Sequence, residues 1–150
     1  MSTINKIFLD RSILIEALKG NKQEFYHSLV SDANNSFYIN SIIVSEYLYF
    51  LVGFSGGSSP RSLKESGKIK DLLAGQLNQI EILNEFTSIE AGEGAMILAP
   101  ILMSKYNLLP NDAIIIATCK MHNITKLASH DTDFIIPCQE EGIELLIEKD

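Results

Sequence analysis

Short apolar runs alternate with longer stretches of helical spacing along almost the whole 150-residue chain, and no other feature restricts the fold as much. Runs of strand type lie at Lys6–Leu9, Phe37–Ile39, Ile80–Leu83, Ile124–Ala128 and Ile143–Ile147. Helical spacing occupies Ser12–Lys19, Gln23–Ala33, Ser41–Val52, Ser62–Leu77, Ser88–Lys105 and Pro110–His122,. Ser41 and Ser88 suit N-cap positions, Pro110 suits the first turn of a helix, and Pro100 is expected to kink the helix that holds it. Strands that alternate with helices pair in parallel through right-handed crossovers, which cover both faces of the sheet. The expected fold is therefore α/β, a three-layer α/β/α arrangement around a central, parallel, doubly wound sheet. The length suits a single domain over residues 1–150,. Gly53-Phe-Ser-Gly-Gly-Ser-Ser-Pro60 is expected to be a mobile loop,.

Two cysteines, Cys119 and Cys138, are too few for a disulfide framework or a four-ligand zinc site and read as core fillers in a reducing cytoplasm,. Asp10 and Arg11 interrupt the first apolar run before it reaches the length of a membrane span, so a soluble protein, away from membranes, is expected,. The net charge of −7 argues against broad attraction to polyanions,.

In a doubly wound sheet ligands gather beyond the carboxyl ends of the strands. Asp10 ends the first strand there, and Asp131 follows the strand ending at Ala128. Glu46 sits about one turn into the helix that leaves Ile39, and Asp112 lies in the first turn of the helix that runs back to Ile124. Four carboxylates from distant segments are expected to meet, with Asp133 close by. Each has a plainer role available: a helix cap for Asp10, a complement to a helix dipole for Asp112, an Asx turn for Asp131 and Asp133. Glu46 resists such a role, because its helix is apolar almost all round and a buried carboxylate neutralises unless a cation is supplied,. Arg11 is the nearest cation in sequence, and its side chain is expected to start away from Asp10. An oxygen-only cluster with room for water suits Mg²⁺ or Mn²⁺, and metal-assisted phosphoryl chemistry is the leading expectation.

Ile7-Phe-Leu-Asp10-Arg-Ser12, Ser41-Ile-Ile-Val-Ser-Glu46, Leu109-Pro-Asn-Asp112-Ala-Ile-Ile-Ile-Ala117 and Ala128-Ser-His-Asp131-Thr-Asp133-Phe134 resemble the successive motifs of the PIN domain. The likeness covers essentially the whole chain and is strongest to the small ribonucleases of the VapC toxin type. It implies a metal-dependent endoribonuclease that leaves a 3′-hydroxyl and a 5′-phosphate. It also implies that Asp10, Glu46 and Asp112 are the central catalytic and metal-binding acids. Asp131, ahead of Asp133, matches the fourth acid, while Ser12 and Ser129 match small residues that support the others. Glu46 or Asp131 would orient the attacking water. The alternative on the same fold is a catalytically silent module that binds RNA or protein. A receiver domain is disfavoured because a single acid, not a pair, follows the first strand, and a haloacid-dehalogenase-type phosphatase because Asp10-Arg-Ser12 lacks its second Asp.

An RNA substrate needs local positive charge, and Arg61, Lys64 and Lys68, with Lys70 after them, are spaced to put the first three on one helical face,. They are the candidate substrate-binding residues, on an arm loosened by Gly56 and Gly57. Tyr47, Leu48, Tyr49, Phe50 and Leu51 cannot all turn inward from one helix. The resemblance makes the remainder a homodimer contact or a groove for an antitoxin protein. His130 adjoins Asp131 but reads as an exposed histidine without a catalytic role, and His27 and His122 as helix-surface or core-edge residues.

Overall fold

The computed structural model describes residues 3–148. Strand β1 (Asn5–Leu9) leads through α1 (Arg11–Leu18) and α2 (Gln23–Val30) to β2 (Asn35–Ile39) and the long helix α3 (Ser41–Gly56). Three short helices follow, α4 (Pro60–Glu65), α5 (Ile69–Ala74) and α6 (Leu77–Glu81), then a 3₁₀ turn at Ile82–Glu85 and the two-residue strand β3 (Thr87–Ser88). The chain closes with α7 (Glu93–Tyr106), α8 (Pro110–Met121), β4 (Lys126–Ala128), a 3₁₀ turn at Thr132–Phe134, α9 (Ile135–Glu141) and β5 (Glu144–Leu146). The strands form one parallel sheet in the order β3-β2-β1-β4-β5, with Phe8 opposite both Tyr38 and Leu127. The order reverses between β1 and β4, so the switch point of this doubly wound sheet lies where those two strands end,.

Burial explains the central strands. Ile7, Phe8 and Leu9 are almost wholly buried, as are Leu127 and Ala128 beside them, because helices cover both faces of the sheet,. Ile43, Tyr47 and Leu51 of α3 point into the same core at spacings of four residues, which leaves Tyr49 outside,. Behind the sheet, Lys105 and the Tyr106 hydroxyl of α7 and Lys120 of α8 converge on Glu141 of α9 and tie three helices together. Those donors, Lys120 foremost, hold the Glu141 carboxyl down at about 2,.

Several local expectations are corrected. Ile80–Leu83 is helical, running from the end of α6 into the 3₁₀ turn; the strand is Thr87–Ser88, an exposed edge with no apolar run to mark it. Ser62–Leu77 is broken rather than continuous, because Gly67 adopts a left-handed φ of 73° that a helix cannot carry through,. Asn40, not Ser41, caps α3 by accepting the Ile43 amide hydrogen, and α7 starts at Glu93, not at Ser88. Gly53–Gly56 is no mobile loop but the last turn of α3. A Cβ on Gly56 would lie 2.5 Å from Leu63 Cδ1 and 2.9 Å from Leu72 Cδ1, so the missing side chain lets α4 and α5 pack against α3. The reversal itself comes at Gly57, with φ at 63°.

Candidate active site

Topology brings the acids together before any side chain is considered. Asp10 follows β1 and is the residue from which α1 starts, and its backbone N–H donates to the Ala128 carbonyl at the end of β4. The segment after β4 carries Ser129 and Asp131, while α3 and α8 begin at the same edge of the sheet and deliver Glu46 and Asp112.

Asp10 is the best-held member. Only 1% of it is exposed, and its Oδ2 accepts hydrogen bonds from the hydroxyls of Ser12 (2.9 Å) and Ser129 (2.7 Å). Those two serines are 3.2 Å apart and accept in turn from the His130 and Asp131 amides, which locks the ends of β1 and β4 into one network. Asp10 Oδ1, by contrast, is buried with no hydrogen-bond partner. Among buried groups such an atom is costly, because it has lost water and gained no hydrogen bond in return, its nearest cation, Arg11 Nη1, standing off at 3.8 Å,.

Around it the other carboxylates crowd. Asp112 is pushed up to about 6, first by burial and then by the charges of Asp10 and Asp131, with Glu46 adding to the rise and Arg11 opposing it,. Asp131 spends one oxygen on the Asp133 amide, so its plainer role as the start of a 3₁₀ turn is realised alongside its place near Asp112. Asp133 is exposed and faces, with Asp112, a neighbouring hollow that also contains Thr132 and Leu109.

Arg11 stands where the sequence reading did not put it. Its Nε lies 2.6 Å from Glu46 Oε2, and its Nη1 lies 3.8 Å from Asp10 Oδ1 and 4.0 Å from Asp112 Oδ1. Strand alternation stops at Asp10, and Arg11 is already the first residue of a helix, so its side chain swings across the strand end. Asn111, also missed, donates to Glu46 Oε1 at 2.8 Å; its place one residue before Asp112 in the first turn of α8 was the available signal. One guanidinium thus serves several carboxylates and leaves the cluster short of positive charge. Among the described residues no three acidic, histidine or cysteine side chains already close round a common point. What the chain presents is a set of oxygen donors with one buried oxygen unsatisfied, and this fits a hard divalent cation better than zinc.

Arg61, Lys64 and Lys68 do not share a helical face. The first two belong to α4, which ends at Glu65, and Lys68 lies beyond the Gly67 break. Arg61 is exposed, paired with Glu65 at 3.2 Å. His130 is half-buried against the Phe25 ring, 5.4 Å between centroids, rather than exposed.

The sequence profile of the PIN domain matches residues 7–137. Ribonuclease VapC2 of Methanocaldococcus jannaschii is 32% identical over 133 residues, 87% of either chain. Ribonuclease VapC6 of the same organism is 30% identical over 141 residues, covering 87% of this chain and 91% of that one. Among solved structures, DNA-bound VapBC from Salmonella typhimurium superposes with a TM-score of 0.64 at 15% identity over 96% of this chain and 98% of that chain. VapBC2 from Rickettsia felis, bound to a promoter DNA fragment, gives 0.63 at 18% identity over 95% of this chain and 98% of that chain. The profile runs from the central strand that positions Asp10 to the helix after Asp131 and so takes in every acid of the cluster: the chain belongs to the PIN domain family.

Proposed function

We propose that the chain is a metal-dependent endoribonuclease and the toxin of a toxin–antitoxin pair. The observation that carries this reading is the Oδ1 of Asp10, buried without a hydrogen bond among converging carboxylates, with the shared Arg11 guanidinium 3.8 Å away. A silent RNA- or protein-binding module gains nothing from an unsatisfied buried oxygen, which costs about 1–3 kcal/mol. The ribonuclease names of two relatives at 30% identity or more support the same reading.

Asp10 and Asp112 would hold Mg²⁺ or Mn²⁺, with Glu46 and Asp131 completing the set and Asp133 next to it. The bound ion supplies Lewis-acid polarisation of the scissile phosphate and a more acidic water. The chain's own residues do the rest. Ser12 and Ser129 fix the Asp10 carboxylate through Oδ2 and leave Oδ1 on the side of Arg11, and Asn111 fixes Glu46. Glu46 or Asp131 then orients the attacking water. A labelled RNA panel is expected to be cut in Mg²⁺ or Mn²⁺, to 3′-hydroxyl ends, and left whole in EDTA. Cleavage that survives EDTA, or an untouched panel in either metal, would refute the mechanism.

The partner we propose is an antitoxin protein, since structures of similar fold are VapBC complexes. A second copy of the chain is also proposed, on α7, where Met96, Ile97 and Ile101 are 56–75% exposed along one stripe,. Light scattering after gel filtration is expected to give a dimer for the wild type and a monomer for Ile97→Asp. Equal masses would remove α7 as the interface. No helix among the described residues is long and apolar enough to cross a membrane.

A further inference from the structure

We infer that the groove between α1 and α3 is a nucleobase-binding subsite for single-stranded RNA, in which Tyr49 and Phe54 stack on bases beside the scissile phosphate. This rests on the ribonuclease reading above and extends it to the form of the substrate.

The groove has a volume of about 430 Å³, within the roughly 300–1,000 Å³ of small-ligand sites,. It is large enough to take one or two bases. Ile15 of α1 forms one wall, and Tyr49, Phe50, Gly53 and Phe54 of α3 the other. Tyr49 is 66% and Phe54 53% exposed, although both belong to a helix whose Ile43, Tyr47 and Leu51 are buried. Phe50 and Phe54 lie nearly parallel, with centroids 5.6 Å apart and planes at 21°, so the two rings are already stacked and a base laid on Phe54 would extend that stack.

Position decides what the stack is for. Arg11 and Glu46 line this groove and also line the cleft that holds Asp112 and Asn111, so the two hollows share a wall. A chain whose phosphate sits at Asp10 and Asp112 can lay its residues on one side of the phosphate along α3, and on the other in the hollow that Asp112 shares with Asp133. Charge matches as well. Lys19, which also pairs with Glu16 at 3.6 Å, holds its Nζ 5.5 Å from the Phe50 ring centre, and Arg11 stands at the inner end. Pro60 closes the far end and opens α4, which carries Arg61 and Lys64. Cations flanking aromatic rings are the usual means of holding unpaired nucleic acid, since the rings take base faces and the cations take phosphates. A duplex hides its base faces and is excluded by the same argument.

The test uses the full chain with a fluorescent single-stranded RNA hexamer and the matching duplex. Tyr49→Ala and Phe54→Ala are each expected to weaken hexamer binding roughly tenfold, as loss of one stacked base predicts. The loss should appear in KM far more than in kcat, Tyr49→Phe should restore binding, and the duplex should be cut poorly by every form. Both rings are more than half exposed, so their truncation leaves the core intact, which circular dichroism will verify. Wild-type hexamer affinity and KM in both alanine variants would overturn the subsite while leaving the nuclease reading untouched. The same RNA results with loss of a co-expressed antitoxin would reassign the groove to protein docking. Absence of cleavage by the wild type would instead strike at the nuclease reading.

Discussion

Asp112→Asn is expected to lower RNA cleavage at least about a hundredfold, the usual scale for losing one strong electrostatic contact to a transition state, while making the metal-free protein more stable at neutral pH. The two effects have one cause. Burial and three neighbouring carboxylates raise Asp112 from 3.8 in the unfolded chain to about 6 in the folded one. Between those values the folded state holds a proton that the unfolded state has released, so stability is greatest below the unfolded value and falls as pH rises through the folded one. A shift of this size sets a ceiling of about 3 kcal/mol, which solvent at the rim of the cleft reduces to about 1 kcal/mol. Asparagine removes the charge and with it the penalty. Urea unfolding in EDTA should therefore show the wild type losing stability from pH 4 to pH 7, and the variant losing less. Added Mn²⁺ should raise the wild-type midpoint and leave the variant's where it was. A variant that cuts RNA at the wild-type rate, or that is less stable than the wild type at pH 7 in EDTA, contradicts the assignment of Asp112.

The acids of the cluster were legible for a topological reason. In a parallel sheet the carboxyl end of every strand and the start of every following helix fall on one edge, so chain order alone gathers Asp10, Glu46, Asp112 and Asp131,. Elements without that support were harder to place. Ile80–Leu83 is a short apolar run, and at that length periodicity does not separate a strand from a half-buried turn of helix. The strand that fills its place, Thr87–Ser88, is exposed on both residues and leaves no apolar signature. The break within Ser62–Leu77 was signalled by Gly67 and Gly75, and the true cap of α3 by the preference of asparagine for that position at Asn40,. Side-chain direction was the least legible property of all. Arg11 and Asn111 meet at Glu46 from helices 100 residues apart, and no local pattern in the sequence reports an encounter of that kind.

Arg11 makes the second large prediction, because the guanidinium and a divalent cation claim the same oxygens. With its Nε 2.6 Å from Glu46 and its Nη1 within 4.0 Å of Asp10 and Asp112, it offsets charge in the metal-free protein and must yield before those acids can ligate. Arg11→Met keeps much of the aliphatic length and removes the charge. Two opposite changes should follow. Metal-free stability at pH 7 should fall by about 1–2 kcal/mol, between the values for exposed and buried ion pairs, and fall more steeply with pH, since Arg11 is the influence that holds Asp112 down. Affinity for Mn²⁺ should rise about tenfold, equivalent to about 1.4 kcal/mol of competition removed. Titration calorimetry reads the second change and denaturation in EDTA the first. At saturating Mn²⁺ the gap in stability between the two proteins should close. If Mn²⁺ binds both equally, the ion does not displace Arg11, and the metal would then have to sit on the Asp131 and Asp133 side of the cleft, where the guanidinium does not reach.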